Sequence, residues 1–282
     1  MVELSQRRAR VVRRLRTRKS REREARVLVE GVRACTEALD ASAAVEFAVV
    51  SPRLDASAEG RVLRERLGPF DVHSVTDDEL EQLSDTDRPQ GVLVVCGEPP
   101  GRLADLRTTG GLLVLDALQD PGNVGTLVRS AVAFGLAGVV CLDGTVDPWS
   151  PKVVRASAGT IFRIPVVGVG LDAAVRWLAG VDVTLLVASA AGTPVDRWLR
   201  GARRDLAGPE DRAFVLALGN EGAGVRAKLA DAADATIAIE MRGPAESLNV
   251  AIAGSILMHE LAGDRSATSG RETELGTNGE ST

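Results

Sequence analysis

Short apolar runs alternate with amphipathic stretches along most of this chain, and the alternation is most regular after residue 110. Several of the apolar runs in this part have no polar face. Strands of that kind are typical of a parallel sheet that is covered by helices on both sides. The sequence therefore predicts an α/β fold, with strands at residues 112–115, 138–142, 164–167, 183–188, 213–218 and 236–241.

Residues 27–97 predict a second, smaller α/β domain, because shorter strand and helix patterns alternate there. The turn-rich sequence Gly97-Glu98-Pro99-Pro100-Gly101 predicts a linker over residues 98–109. Gly, Ser, Thr and Glu dominate residues 264–282, which predicts a disordered tail.

The last predicted helix, residues 248–261, is apolar nearly all round. Such a helix lies in a core or in a subunit interface. It is therefore the element that we expect to mediate self-association, if the chain forms a dimer.

Composition excludes several classes of protein. Hydrophobic residues make up 45% of the 282 residues, which suffices for a substantial core. The absence of a long apolar run argues against a membrane span or a secretory signal. Cys35, Cys96 and Cys141 are too far apart for a disulfide framework or a zinc ribbon, so a cytoplasmic protein without a metal is expected. Aromatic residues, at 3%, are too few for an aromatic base-stacking surface.

Charge is distributed unevenly along the chain. Residues 1–26 carry eleven basic and three acidic side chains, although the whole chain has a net charge of −5. A basic segment on an acidic body indicates a nucleic acid or an anionic surface as partner. We therefore expect residues 1–26 to form a basic arm, with Arg13 and Arg16 among its RNA contacts. A solvated helix with scattered arginines is the alternative.

Three segments place glycines and polar residues at the ends of predicted strands, where ligands bind in an open α/β sheet. The first, residues 116–130, turns at Pro121-Gly122 and enters a helix that Asn123 is expected to cap. The same helix carries Arg129 in its second predicted turn. A cation near a helix N-terminus is disfavoured by the helix dipole, and a bound phosphate would resolve that conflict.

The second segment, residues 216–225, presents Gly219 and Glu221 directly after a buried strand. Gly219 would let the backbone approach a ligand closely, and Glu221 would place a carboxylate at the mouth of the site. The glycine spacing fits neither the dinucleotide-binding fingerprint nor the P-loop. A Gly/Asn-rich turn without a ligand is the alternative.

The third segment, residues 237–250, leads from a strand through a Gly-Pro loop into the apolar helix. Either Ser247 or Asn249 would begin that helix, and Ser247 as a cap is a sufficient structural explanation. Inside the helix, the amide of Asn249 would be buried and would need partners.

Together, and in this order, the three segments resemble the SpoU family of RNA ribose 2′-O-methyltransferases in the SPOUT superfamily. The resemblance covers residues 110–262, and predicts the methyltransferase domain at residues 110–263. Residues 27–97 resemble the substrate-binding domain of the family, which is similar to a small RNA-binding ribosomal protein. The matching positions are Asn123, Arg129, Gly219-Asn220-Glu221, Gly224 and Ser247-Leu248-Asn249, with Val29-Glu30-Gly31 and Pro89-Gln90-Gly91-Val92 in the smaller domain.

The resemblance implies a fold, a cofactor and partners. The C-terminal domain would contain a deep trefoil knot, contrary to the general avoidance of knots. The cofactor would be S-adenosylmethionine, without a metal. The substrate would be RNA, with 23S ribosomal RNA favoured over tRNA because of the extra domain. The chain would form a homodimer through residues 248–261 and the helix that carries Arg129, and would not bind a membrane.

The resemblance also implies roles for single residues. Arg129 would lie at the ribose 2′-hydroxyl, where a guanidinium is too basic to remove a proton but can stabilise the alkoxide and clamp a phosphate. Glu221 would orient Arg129 or accept the proton. Asn123 and Asn249 would position groups by hydrogen bonds, and Ser247 would support its loop. The implied cofactor residues are Ser189, Gly219, Asn220, Ile239, Met241 and Leu248, and the implied RNA contacts in the segment 147–159 are Lys152 and Arg155.

One departure and two rival functions remain at this level. Glu240 stands where the family usually has proline, which makes that loop less rigid. A dehydrogenase-type nucleotide-binding protein would need a glycine fingerprint after its first strand, and the chain lacks one. A non-catalytic RNA-binding protein would be favoured by loss of Arg129, Glu221 or Asn249, and all three are present.

Overall fold

The computed structural model describes residues 2–205, 213–245 and 247–269. The chain forms two compact units, and each unit is assembled from three segments. Unit 1 consists of Met1–Arg102, Gln119–Arg129 and Thr145–Val166. Unit 2 consists of Leu103–Leu118, Ser130–Gly144 and Val167–Thr282.

Unit 1 is built on a five-stranded sheet in the order β1-β4-β3-β5-β2. Strand β5 is antiparallel to both β2 and β3, whereas β4 is parallel to β1 and β3. The strands are β1 (Val2–Glu3), β2 (Arg26–Glu30), β3 (Val45–Val50), β4 (Val72–Ser74) and β5 (Val92–Gly97). The helices are α1 (Gln6–Arg14), α2 (Arg18–Glu24), α3 (Val32–Asp40), α4 (Ala58–Leu67), α5 (Asp77–Leu83) and α7 (Pro151–Ala156).

The basic segment at the N-terminus is packed against this sheet. Strand β1 forms an edge of the sheet, and Val11, Val12 and Leu15 are buried in the same core as Leu28 and Phe47. Burial of each such side chain contributes about 1.5–3 kcal/mol. The charge pattern predicted a basic arm. In the structure, this segment contains helix α1, which has a short buried apolar stripe and a basic face that is exposed to solvent.

Unit 2 is built on a six-stranded sheet in the order β11-β9-β10-β6-β7-β8. Strand β6 pairs with β7 and β10, and β9 pairs with β10 and β11, all in parallel. The predicted parallel α/β sheet is thus confirmed. The strands are β6 (Leu112–Asp116), β7 (Gly138–Leu142), β8 (Val166–Val169), β9 (Thr184–Pro194), β10 (Phe214–Gly219) and β11 (Ala235–Ala238).

Four further helices belong largely to unit 2, and α6 (Pro121–Ala133) runs from unit 1 into it. The serine hydroxyls of Ser130 in α6 and Ser255 in the last helix are hydrogen-bonded at 2.7 Å. Among the residues that the structure describes, no helix combines the length and apolarity needed to cross a membrane. The further helices are α8 (Leu171–Leu178), α9 (Val195–Asp205), α10 (Ala227–Ala230) and α11 (Val250–Ser269).

Several element boundaries differ from those expected from the sequence. Strand β8 begins at Val166, two residues later than predicted, because Thr160–Arg163 forms a 3₁₀ turn first. The last helix continues past Leu261 to Ser269, through the beginning of the expected tail. The remainder of that tail, residues 270–282, lies outside the described residues.

Candidate functional site

A cavity of about 1120 Å³ lies in unit 2 at the carboxyl ends of β9, β10 and β11. Its position agrees with the general rule that ligands bind at this edge of a parallel sheet. The structure brings together around it all six residues expected to hold the cofactor, Ser189, Gly219, Asn220, Ile239, Met241 and Leu248. Three of the expected catalytic residues, Glu221, Ser247 and Asn249, also line the cavity.

Gly219 is required by the close approach of its own loop. A Cβ atom at this position would lie 2.1 Å from the carbonyl carbon of Gly224 and 2.2 Å from the nitrogen of Val225. Real side chains do not tolerate such distances, so any other residue would displace the backbone. Residue 219 therefore brings main chain, not side chain, to the wall of the cavity.

The loop after Gly219 is closed by a compact set of hydrogen bonds around Asn220. The backbone groups of Asn220 and Gly224 bond to each other in both directions, at 3.1 and 2.8 Å. The Asn220 side-chain oxygen accepts from the nitrogens of Gly222 and Ala223, at 3.0 and 3.1 Å. The side chain of Asn220 thus shapes the loop, and Glu221 is exposed at its tip.

Apolar side chains form another part of the lining. Met241 and Leu248 are among the most exposed large hydrophobic side chains, at 39% and 36%, and both line the cavity. Exposed apolar groups in a concave site usually contact an apolar part of a ligand. The lining thus combines close main chain at Gly219 with apolar side chains, a chemistry that suits the adenosine part of the S-adenosylmethionine expected from the sequence.

Asn249 caps helix α11 and does not lie inside it. Its side-chain oxygen accepts from the nitrogen of Ala251 at 2.9 Å and from that of Ile252 at 3.3 Å. The choice between Ser247 and Asn249 is thereby decided for Asn249, and the predicted burial of its amide is wrong, because the residue is exposed. Ser247 lies in the preceding loop.

Asn123 and Arg129 lie on the part of α6 that belongs to unit 1. The prediction that Asn123 caps this helix is wrong. The helix begins at Pro121, a residue suited to the first helical position, and the Asp120 carboxylate accepts from the nitrogen of Asn123 at 2.9 Å. Arg129 is therefore further from the helix N-terminus than expected, and it is exposed.

The four residues expected to contact RNA lie in unit 1 in different environments. Lys152 and Arg13 are exposed. The guanidinium of Arg155 lies 3.5 Å from the buried carboxylate of Glu30. Arg16 donates to the carbonyls of Gln82, at 3.3 Å, and Ser84, so it caps the carboxyl end of helix α5.

Sequence reasoning missed the role of Asp116 and Arg226 in unit 2. Arg226 binds the fully buried carboxylate of Asp116, with 2.6 Å between Nε and Oδ1, and also reaches Asp143. Hydrogen bonding from Arg226, followed by that from the Leu171 nitrogen, lowers the pKa of Asp143. In the sequence, the only indication of this pair is that Asp116 follows an apolar run, and that position does not identify Arg226 as its partner.

Sequence models of two domain families match the chain. The model of the SpoU rRNA Methylase family matches residues 111–259, and that of the MRM3-like substrate binding domain matches residues 6–94. The second match therefore includes most of the basic N-terminal segment.

Similar proteins cover nearly the whole chain. The 23S rRNA (guanosine(2553)-2′-O)-methyltransferase RlmP of Bacillus subtilis is 34% identical over 250 residues, which are 88% of this chain and 93% of that protein. The 23S rRNA (adenosine(1067)-2′-O)-methyltransferase of Streptomyces laurentii is 30% identical, over 87% of this chain and 89% of that protein.

Solved structures agree with these relatives. An AdoMet-bound rRNA methyltransferase from Sinorhizobium meliloti superposes with a TM-score of 0.76 at 28% identity, over 94% of this chain and 97% of that one. The SpoU methyltransferase AviRb from Streptomyces viridochromogenes, in complex with AdoMet, also gives 0.76, at 27% identity over 92% and 99%. The chain belongs to the SpoU rRNA methylase family.

Proposed function

We propose that this protein transfers a methyl group from S-adenosylmethionine to a ribose 2′-hydroxyl of ribosomal RNA, in the 23S molecule. The observation that carries the proposal is the cavity of unit 2, which gathers the residues of two family segments at one sheet edge. The names of the similar proteins from B. subtilis and S. laurentii support 23S rRNA as the substrate class.

The cofactor would be held mainly by main chain and apolar contacts. Gly219 and its loop would form one wall, Ile239, Met241 and Leu248 the other, and Ser189 would close the side formed by β9. When bound, S-adenosylmethionine supplies a methyl group that is already activated. The protein must then orient the ribose oxygen, exclude water and manage one proton.

Arg129 and Glu221 have separate electrostatic roles in this proposal. Arg129 stabilises negative charge that develops on the 2′-oxygen and holds the adjacent phosphate, because a guanidinium offers several donors in a fixed plane. Glu221, exposed at its loop tip, accepts the proton. Asn123 positions RNA groups by hydrogen bonds, while Asn249 fixes the start of α11 and Ser247 supports the loop before it.

The basic residues of the N-terminal segment differ in whether another group of the protein already binds them, and this difference assigns the phosphate contacts. Six of them have an acidic partner, and Arg16 donates to backbone carbonyls; the six are Arg8, Arg14, Arg18, Arg21, Arg23 and Arg26. Within the described part of the chain, four exposed cations of this segment have no acidic partner. We assign these four, together with Lys152, to RNA phosphates; they are Arg7, Arg10, Arg13 and Lys19.

Self-association through α11 is a further part of the proposal. Ile252 and Ile256, one turn apart on this helix, are 52% and 37% exposed. Apolar side chains repeated at this spacing favour a homodimer. Light scattering at micromolar concentration should report a dimer, and Ile252→Glu should yield the monomer. A monomeric wild-type protein would contradict this part.

The proposal has three further parts: a knotted chain path in the methyltransferase domain, an N-terminal domain that is similar to a ribosomal protein, and a cytoplasmic location. The match to the SpoU rRNA Methylase family model over residues 111–259 supports the knot, which the family resemblance implies. Three free, buried cysteines support a reducing compartment.

The proposal is tested by supplying radiolabelled S-adenosylmethionine with 23S rRNA, 16S rRNA or bulk tRNA, all without modifications. Label should enter only 23S rRNA, and nuclease digestion should release it as a 2′-O-methylated nucleoside. Label in tRNA would contradict the substrate class, and label on a base would contradict the reaction. Titration calorimetry without RNA should show cofactor binding, which a purely RNA-binding protein would not.

A further inference from the structure

A chain of ion pairs holds the cavity loop of unit 2 from outside. Asp116, the last residue of β6, is fully buried. Its Oδ2 atom accepts from the backbone nitrogen of Arg226 at 2.7 Å, and its Oδ1 atom accepts from Nε of the same residue at 2.6 Å. A buried carboxylate needs such donors, because it has lost its water.

The guanidinium of Arg226 also reaches a second carboxylate. Its Nη1 and Nη2 atoms donate to Asp143 at 3.1 and 3.3 Å, and Asp143 accepts from the nitrogen of Leu171 at 2.7 Å. Strands β10, β6 and β7 are neighbours in the sheet. One side chain, in the loop region that follows β10, therefore connects the carboxyl ends of β6 and β7.

Both ends of the loop between Gly219 and Arg226 are bound at the carboxyl end of β6, one to Asp116 and the other to the next residue, Ala117. At its start, the Asn220 side chain donates to the carbonyl of Ala117 at 3.2 Å, and at its end Arg226 binds Asp116. The residues from Gly219 to Val225 line the cavity, and Arg226 is the residue that follows them. The shape of this wall thus depends on a contact that lies beside the cavity.

We propose that Asp116 and Arg226 are positioning residues for cofactor binding, which hold the Gly219–Gly224 loop in its cavity-lining shape without touching the cofactor. This inference rests on the proposed function. If it is correct, weakening the pair lowers the affinity for S-adenosylmethionine more than it lowers the rate at saturating cofactor, because bound cofactor restores the loop.

The test compares full-length variants by titration calorimetry with S-adenosylmethionine and by steady-state kinetics. Arg226→Lys keeps the charge but cannot hold two carboxylates in one plane. It should raise the Kd and KM for the cofactor about tenfold, the effect of losing one hydrogen bond to a charged group, and change kcat less than about threefold. Asp116→Asn should weaken binding at least as much.

Lys228→Ala is the matched control. Lys228 lies two residues further on and forms an exposed ion pair with Asp172 at 2.7 Å. Exposed pairs contribute little, so the cofactor Kd should stay within about twofold. Hydrogen exchange should be faster in residues 220–226 of Arg226→Lys than of wild type, and the difference should disappear when cofactor is saturating.

The outcomes separate the inference from the function on which it rests. A wild-type protein that does not bind S-adenosylmethionine would overturn the proposed function itself. Wild-type binding together with unchanged affinity in Arg226→Lys, whatever its thermal stability, would overturn the positioning role alone. If Asp116→Asn does not fold, Arg226→Lys decides the question.

Discussion

Unit 1 and unit 2 use charged side chains in different ways. In unit 1, ion pairs join residues near the N-terminus to the segment 147–163. Among the described residues, three exposed cations of α1 have no acidic partner, Arg7, Arg10 and Arg13. In unit 2, the cavity is lined mainly by backbone, small residues and apolar side chains, and the Arg226 ion pairs lie beside it. The pairs of unit 1 are Arg21–Asp147, Arg155–Glu30 and Arg163–Glu37.

This difference indicates how each ligand would be recognised. RNA is a polyanion, and its affinity for a basic surface depends on the release of counterions. S-adenosylmethionine is small, and a concave site selects it through shape and a few hydrogen bonds. RNA binding should therefore respond to charge and salt, whereas cofactor binding should respond to steric changes.

The largest effect is expected from Gly219→Ala. The new Cβ would collide with the backbone of Gly224, so the loop must move out of its cavity-lining position. The cofactor Kd should rise by at least about a hundredfold, the effect of losing two or more backbone hydrogen bonds, while RNA affinity should not change. Calorimetry and filter binding measure the two affinities.

Gly243→Ala is the control for this variant, because a Cβ at Gly243 has no atom within 4 Å. It should bind the cofactor like the wild type. If Gly219→Ala also lost affinity for RNA, both ligands would depend on this loop. That result would contradict the separate recognition of RNA by unit 1 and of the cofactor by unit 2.

The next effect concerns Arg129, whose charge should matter for transfer and not for cofactor binding. Arg129→Ala should slow single-turnover methyl transfer by about 10²–10³, the usual effect of losing one stabilising donor. Its cofactor Kd should remain that of the wild type. Arg129→Lys should restore the rate only in part, because an ammonium cannot bind phosphate and ribose oxygens together.

Normal single-turnover rates for Arg129→Ala on 23S rRNA would contradict the proposed mechanism. Loss of cofactor binding in the same variant would instead place the residue in the recognition of the cofactor, and would weaken the contrast between the units.

A smaller effect is expected from the exposed arginines of α1. The double variant Arg10→Ala/Arg13→Ala should bind RNA more weakly. It should also reduce the slope of log affinity against log salt by about 0.7–0.9 for each phosphate that is no longer neutralised. Arg18→Ala is the matched control, because Arg18 of α2 is also exposed but is paired with Glu22 at 2.7 Å.

An equal change of slope in Arg18→Ala would show that only total charge matters. The assignment of individual arginines would then be incorrect, although unit 1 would still be the part that responds to salt.

The smallest effect is the influence of salt on cofactor binding. Between about 50 and 200 mM salt, the Kd for S-adenosylmethionine should change by less than about threefold, because exposed charges such as Glu221 contribute little. RNA affinity should fall by at least about 10³ over the same range if about six or more phosphates are bound. If cofactor binding weakened with salt as steeply as RNA binding, the proposed difference between the two recognition modes would be contradicted.

The pattern of the chain alone determined the architecture of unit 2. Strands that are apolar on both faces can be satisfied only between two helical layers, so local sequence suffices to predict a parallel sheet. The residues around Gly219 and Leu248 were identified for a related reason. Glycine and polar residues at strand ends are local features, and the topology of a parallel sheet places them along one edge.

Tertiary structure decided how the charges are partnered. The apolar stripe of Val11, Val12 and Leu15 was concealed by eleven basic neighbours, and only packing on the sheet distinguishes buried from exposed faces. Asp116 and Arg226 are 110 residues apart, and no local pattern connects them. Hydrophobic periodicity is a property of neighbouring positions and can be read from the sequence. An ion pair depends on the distance between two side chains, and for residues far apart in the chain only the folded structure sets that distance.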